Sequence, residues 1–106
     1  RSVYADPGVK RYAAQLVDAT RHPAAYGLDL GPMIAFGASP RASLALLLCG
    51  KAHAVLAGRG YVVPDDIRAL APAVLRHRVL LTFEAEADDL TPEEIVRRVL
   101  ATVEVP

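Results

Sequence analysis

This sequence predicts an all-α fold, a compact bundle of about four helices with at most a short strand-like segment. Three observations predict it. Apolar residues recur at helical spacing in four stretches, a proline stands at the first helical position of each (Pro7, Pro40, Pro64, Pro92), and the connections are short enough to make neighbours antiparallel.

The first helix follows Asp6, whose carboxylate can cap free N–H groups at a helix start. Val9, Tyr12, Ala13, Leu16, Val17 and Thr20 form its apolar stripe, which marks them as core. It should fade near Arg21 and His22, because a proline disfavours helical backbone in the residue before it. From Pro23 to Ala38 the chain carries Gly27, Gly31, Gly37, Pro23, Pro32 and Asp29, enough breakers to read as a connecting loop. Met33, Ile34 and Phe36 are expected to pin that loop to the core.

The second helix is predicted with Ser39 as its cap and Pro40 at its first position, running through Ala42, Leu44 to Cys49, Ala52, Val55 and Leu56 to Gly58 or Gly60. It is apolar nearly all round, the pattern of a central helix covered by others. The third begins at Pro64, with Asp65 and Asp66 in the first turn, where the helix dipole favours negative charge. Its apolar positions are Ile67, Leu70, Ala71, Val74 and Leu75, and Pro72 is a point where it could bend or divide. Val79 to Phe83 reads equally as strand or helix end. In the last helix, Thr91 and Glu94 are spaced as a capping box, and Ile95, Val96, Val99, Leu100 and Val103 form the buried face.

Composition narrows the function. The 106 residues suit one domain, 53% of them are hydrophobic, and 12 basic residues balance 12 acidic ones. A nucleic-acid binder that works by neutralising phosphates would carry a basic excess, so nucleic acid is not an expected partner. No apolar run approaches the roughly 18–20 residues that span a bilayer, and no signal peptide is visible. The lone Cys49 cannot form an internal disulfide, which suits a reducing, cytoplasmic setting. A start at Arg1 and an end on Val-Glu-Val-Pro predict a fragment of a longer protein, residues 1–106 being one helical domain of it.

Self-sufficient chemistry is missing. There is no phosphate-binding loop of the Gly-x-x-x-x-Gly-Lys-Ser/Thr type and no glycine-rich dinucleotide fingerprint. His22, His53 and His77 have no metal-ligand spacing with each other or with Cys49, which reads as an inert thiol, so no metal site is expected. Asp65-Asp66 and Asp88-Asp89 are explained by a helix first turn and a solvated loop.

Gly37-Ala38-Ser39-Pro40-Arg41-Ala42 asks for more. Ser39 and Pro40 are accounted for by helix initiation. Arg41 is not, because a cation in the first turn meets the positive end of the dipole, at a cost of about 0.3–1 kcal/mol. A helix start with free N–H groups favours an anion, and an arginine there adds a charged fork shaped for phosphate oxygens. An exposed arginine whose stem lies along the surface is the plainer alternative.

That segment resembles the signature that opens the main lid helix of MoxR-type AAA+ ATPases. The resemblance continues in order through Gly58-Arg59-Gly60-Tyr61-Val62-Val63-Pro64-Asp65-Asp66-Ile67, Leu75-Arg76-His77-Arg78 and Leu90-Thr91-Pro92-Glu93-Glu94-Ile95, covering most of Thr20 to Leu100. Val63 departs from it, replacing a frequent hydroxyl residue, as does Gly60, replacing a frequent acid.

The resemblance implies a lid that packs over ATP and Mg2+ held by a larger α/β core domain of the same chain, the fragment alone binding neither. It implies a homo-oligomeric ring with a chaperone-like role in maturing other proteins, among them proteins with a von Willebrand factor A domain. Arg41 matches the second sensor arginine, which contacts the γ-phosphate, with Ser39 and Pro40 beside it at the nucleotide. Whether it would meet its own subunit's nucleotide or a neighbour's, as in the related magnesium chelatase group, the residues leave open. Arg76, His77 and Arg78 read either as cations suited to the end of the third helix or as a contact across a subunit boundary. Arg59 carries the same two readings, with the structural one favoured.

Two other functions compete. One is a helical protein–protein interaction module without a nucleotide role. The other is a helix-turn-helix DNA reader, disfavoured because Asp65 and Asp66 would lead its recognition helix toward phosphates.

Overall fold

The computed structural model describes residues 3–106. Helix α1 (Pro7–Arg21) begins where Asp6 accepts the Val9 N–H at 2.9 Å. Its buried face is the predicted stripe of Val9, Tyr12, Ala13, Leu16, Val17 and Thr20, joined by Ala19. His22 ends it, one residue before Pro23, as the constraint on pre-proline backbone requires.

The Pro23–Ala38 connection holds more structure than a loop. It contains two short 3₁₀ turns (Pro23–Tyr26 and Gly31–Met33) and strand β1 (Ile34–Phe36). Strand β1 pairs antiparallel with β2 (Leu80–Leu81), Ile34 opposite Leu81 and Phe36 opposite Leu80. The side chains that pin it to the core are Leu28 and Leu30, with Met33 and Ile34 half-buried. Phe36 is no pin: it is 69% exposed, because the two-stranded ribbon has no second layer over its outer end.

Helix α2 (Ala42–Leu56) corrects the sequence reading three times, the first being that Pro40 lies two residues before the helix rather than at its first position. Ser39 does not cap it with its side chain. The chain turns into the helix through bonds of 3₁₀ spacing, from the Ala42, Ser43 and Leu44 N–H groups to the carbonyls of Ser39, Pro40 and Arg41. Nor is α2 covered all round. Ala42, Leu46, Gly50 and Ala54 are buried, whereas Leu44, Leu48, Val55 and Leu56 on the opposite side stand in solvent. A largely apolar helix therefore presents one face to its own fold and one to the outside.

Helix α3 (Pro64–Leu75) runs through Pro72 without dividing and buries Ile67, Ala71 and Leu75. It lies close to α2: a Cβ on Gly50 would sit 2.8 Å from the Ile67 side chain. Arg68 crosses from α3 to donate to the Tyr12 hydroxyl at 3.0 Å and the Leu100 carbonyl at 2.8 Å, tying α3 to α1 and to the last helix.

The ambiguous Val79–Phe83 run resolves into a strand and a helix start. Val79 is buried, β2 follows, and a short helix α4 (Phe83–Ala87) begins at Thr82, so the described residues hold five α-helices where about four were expected. The Thr82 hydroxyl accepts from Ala85 N–H and donates to the Pro32 carbonyl, joining α4 to the second 3₁₀ turn. Helix α5 (Pro92–Thr102) buries Ile95, Val96 and Val99, with Val103 buried just beyond it and Leu100 half-buried. Its capping box is half-formed: Thr91 accepts the Glu94 N–H, but the Glu94 carboxylate turns instead to Arg97 and Arg98. Those two guanidinium groups hold the Glu94 carboxyl down at about 2.

The core lies between α1, α2, α3 and α5, around Tyr12, Leu16, Leu46, Ile67, Leu75 and Ile95. The β1–β2 ribbon and α4 extend it at one end.

Candidate functional site

Arg41 stands at the mouth of α2 in helical backbone (φ −65°, ψ −19°) with an exposed side chain. Among the described residues no carboxylate lies within ion-pair distance of it. The backbone offers an anion less here than the sequence promises, because the Ala42, Ser43 and Leu44 amides already bond the preceding turn. Anion binding at this point thus rests on the guanidinium. Ser39 and Pro40 are exposed in the same turn, and the Pro40 carbonyl accepts the Ser43 hydroxyl at 2.9 Å.

Two features orient Arg41. Behind it, residues 37 and 38 rest on the last turn of α1: the Ala38 N–H donates to the Thr20 hydroxyl at 3.0 Å, and Ala38 is fully buried. Ahead of it, α2 carries Leu44, Leu48, Ala52 and Val55 at spacings of three, seven, eleven and fourteen residues, all exposed. Those spacings place them on the helix face that Arg41 opens. Leu48, at 67% exposure, is the centre of this apolar stripe. One cation and one greasy strip share a side of the molecule.

The other end of α2 is organised differently. Asp66, read from the sequence only as a carboxylate in a helix first turn, is fully buried and accepts four bonds. Arg59 donates twice, Nη1 to Oδ2 at 2.7 Å and Nη2 to Oδ1 at 2.6 Å, the Val63 N–H donates to Oδ2 at 2.8 Å, and His53 Nδ1 lies 2.7 Å from Oδ1. A carboxylate only accepts, so His53 carries its proton on Nδ1. The Arg59 guanidinium, then the Val63 amide and His53, hold the Asp66 carboxyl well below the usual carboxylate range against the pull of burial. Arg59 is held more strongly protonated by the same pair and stacks 5.9 Å from the Tyr61 ring centroid. The sequence reading missed this cluster, although an Asp at the third helical position, two residues after Pro64, was a signal of an acceptor for the N-cap amide.

Arg76, His77 and Arg78 lie just past α3 rather than in its last turn, all exposed. Arg76 donates to His77 Nε2 at 3.2 Å and approaches Glu93 at 3.9 Å. They are not brought near Arg41 by any bond the structure shows. Cys49 is half-buried on the flank of α2. A cleft of about 370 Å³ opens between α1 and the first turn of α2, lined by Arg11, Arg21, Tyr26, Pro40 and Ser43, beside Arg41 rather than around it. Among the described residues no cluster of three His, Cys, Asp or Glu could hold a metal, and no helix is long and apolar enough to cross a membrane.

Comparison with known proteins gives concordant results. The AAA lid domain family model matches residues 29–99. The chain is similar to Chaperone MoxR1 of Mycobacterium tuberculosis, 46% identical over 96 residues, covering 90% of this chain and 26% of that protein. It is likewise similar to Protein MoxR of Paracoccus denitrificans, 36% identical over 110 residues, covering 97% of this chain and 32% of that protein. A crystal structure of a provisionally assigned ATPase from Cytophaga hutchinsonii superposes with a TM-score of 0.96 at 38% identity, covering 99% of this chain and 32% of that one. The chain thus spans about a third or less of the length of the relatives it matches.

Proposed function

The chain belongs to the AAA lid domain family, and from that premise we propose that it is the lid module of a MoxR-type AAA+ ATPase. In this reading the lid closes over ATP and Mg2+ held by a larger domain and brings Arg41 to the γ-phosphate. The parent works as a homo-oligomeric ring in chaperone-like maturation of other proteins in the cytoplasm, von Willebrand factor A domain proteins among them. Arg76, His77 and Arg78 belong to its subunit contacts.

The observation that carries the reading is the state of Arg41. It is exposed, without a carboxylate partner among the described residues, and set where the α2 dipole opposes it. A fold that keeps a cation in such a place gains nothing from it internally. The apolar stripe on the same helix face supports the reading: a surface that covers Leu44, Leu48 and Val55 also meets Arg41, so one partner supplies both the apolar contact and the anion.

What this chain contributes is a guanidinium, permanently charged and able to donate two parallel bonds to phosphate oxygens as negative charge shifts during phosphoryl transfer. ATP supplies the transferable phosphoryl group. Ligands for Mg2+ are left to the larger domain, since among the described residues no carboxylate lies within ion-pair distance of Arg41.

The test is Arg41→Ala in the full-length parent protein. ATP hydrolysis should fall about 100-fold, the scale of one lost transition-state donor, and Arg41→Lys should restore little because an ammonium lacks the fork. An unchanged turnover number would retire the sensor role.

A further inference from the structure

We infer that Thr20, on the last turn of α1, and Gly37, in the loop that rests on it, are positioning residues for Arg41. The inference rests on Arg41 meeting a phosphate, as proposed above, and adds what holds it in place.

The loop that delivers Arg41 is short and is fixed at both ends. At its far end the Ala42 N–H bonds the Ser39 carbonyl at 2.9 Å and α2 begins. At its near end the backbone lies directly on the C-terminal turn of α1. A Cβ on Gly37 would sit 2.3 Å from the Thr20 carbonyl oxygen and 2.8 Å from Arg21 N, both backbone atoms that cannot swing aside. Glycine is needed at 37 for closeness of approach, not for an unusual turn.

The Thr20 hydroxyl makes this approach specific. It donates to the Val17 carbonyl at 2.6 Å and accepts the Ala38 N–H at 3.0 Å, so both its roles are used, and Thr20 is buried. Arg21 adds a long bond of 3.5 Å from Nη1 to the Ala38 carbonyl. The last turn of α1 thus grips residues 37 and 38, three residues before Arg41. The stretch between carries Pro40, whose fixed φ stiffens it. Shifting α1 against α2 therefore moves the base of the guanidinium, and a displacement near 1 Å is enough to cost catalysis heavily.

Thr20→Val keeps the side-chain volume and removes the hydroxyl, leaving the Ala38 N–H without its acceptor. In the full-length protein, assayed well below its melting temperature, kcat for ATP hydrolysis should fall about tenfold with KM for ATP within twofold. Thr20→Ser should return kcat to the wild-type value. In an Arg41→Ala background Thr20→Val should change kcat no further, because the group it positions is gone. As a structural control, Val99→Ala, in the core far along the sequence, should lower the melting temperature at least as much while leaving kcat in place.

Two results would overturn the inference alone: kcat unchanged in Thr20→Val while Arg41→Ala is impaired, or an equal loss on adding Thr20→Val to Arg41→Ala. If Arg41→Ala itself hydrolyses ATP at the wild-type rate, the sensor reading falls and takes this one with it. Gly37→Ala offers a harsher version, expected to lower kcat further where it folds.

Discussion

Helix α2 has an arginine beyond each end, and the two are treated in opposite ways. Arg59, past the C-terminus, is folded back into a paired grip on the buried Asp66, with His53 and the Val63 amide completing the carboxylate's four bonds. Arg41, at the N-terminus, has no such partner among the described residues and stands in solvent. The difference teaches how to read a charge. A cation whose bonds are filled from within is spent on stability, and a cation left open against an adverse dipole is available to something outside. Nothing in the residue type distinguishes them; the bonding does.

The comparison breaks most visibly at Asp66. Asp66→Asn keeps the shape but leaves Arg59 beside a neutral amide, and should lower the stability of this chain in urea unfolding by more than any other change considered. Arg59→Ala should destabilise in the same direction. A wild-type unfolding curve from either variant would show that the cluster is not the staple it looks.

Acid sharpens the same point. Because folding depresses the Asp66 carboxyl, its contribution is complete above the unfolded value near 4 and is lost as pH falls below it. Stability of the wild-type chain should therefore decline steeply below about pH 4, and that slope should flatten in Asp66→Asn. Equal slopes would mean that other carboxylates carry the acid sensitivity.

The apolar stripe should give a smaller effect that depends on context. Leu48→Asp, at a side chain already mostly in water, should change the stability of this chain by no more than about 0.5 kcal/mol. In the full-length protein the same change should lower nucleotide turnover, as the face beside Arg41 loses its seat. Loss of stability in the isolated chain would mean that the stripe belongs to its own core after all.

Arg41 should show a small change in stability, and the most telling one. Arg41→Ala should leave the chain as stable as before or more stable by about 0.3–1 kcal/mol, since a cation leaves the positive end of a helix. A drop in melting temperature would reveal an internal partner and erase the contrast with Arg59.

Much of the fold was legible in the residues, for local reasons. The α1 stripe, its Asp6 cap and its end before Pro23 depend on spacing and backbone restriction that act within a few residues. So do the start of α3 at Pro64 and of α5 after Thr91. Arg41 could also be singled out without coordinates, because its conflict with the dipole is a matter of position in the chain. Helix α4 was harder: five residues are too few to show a period, and Thr82, besides capping the Ala85 N–H, bonds the Pro32 carbonyl fifty positions away.

What folding alone decided are the partnerships between distant segments. The sequence determines that α2 is apolar nearly all round, but only packing selects Leu46, Gly50 and Ala54 for the interior and leaves Leu44 and Leu48 outside. It places Asp66 in a helix first turn, yet burying that carboxylate needs His53 to arrive from α2 and Arg59 from the turn that follows it. Periodicity and caps are short-range and can be read along the chain; which charge is neutralised and which face is covered depends on neighbours that meet only in three dimensions.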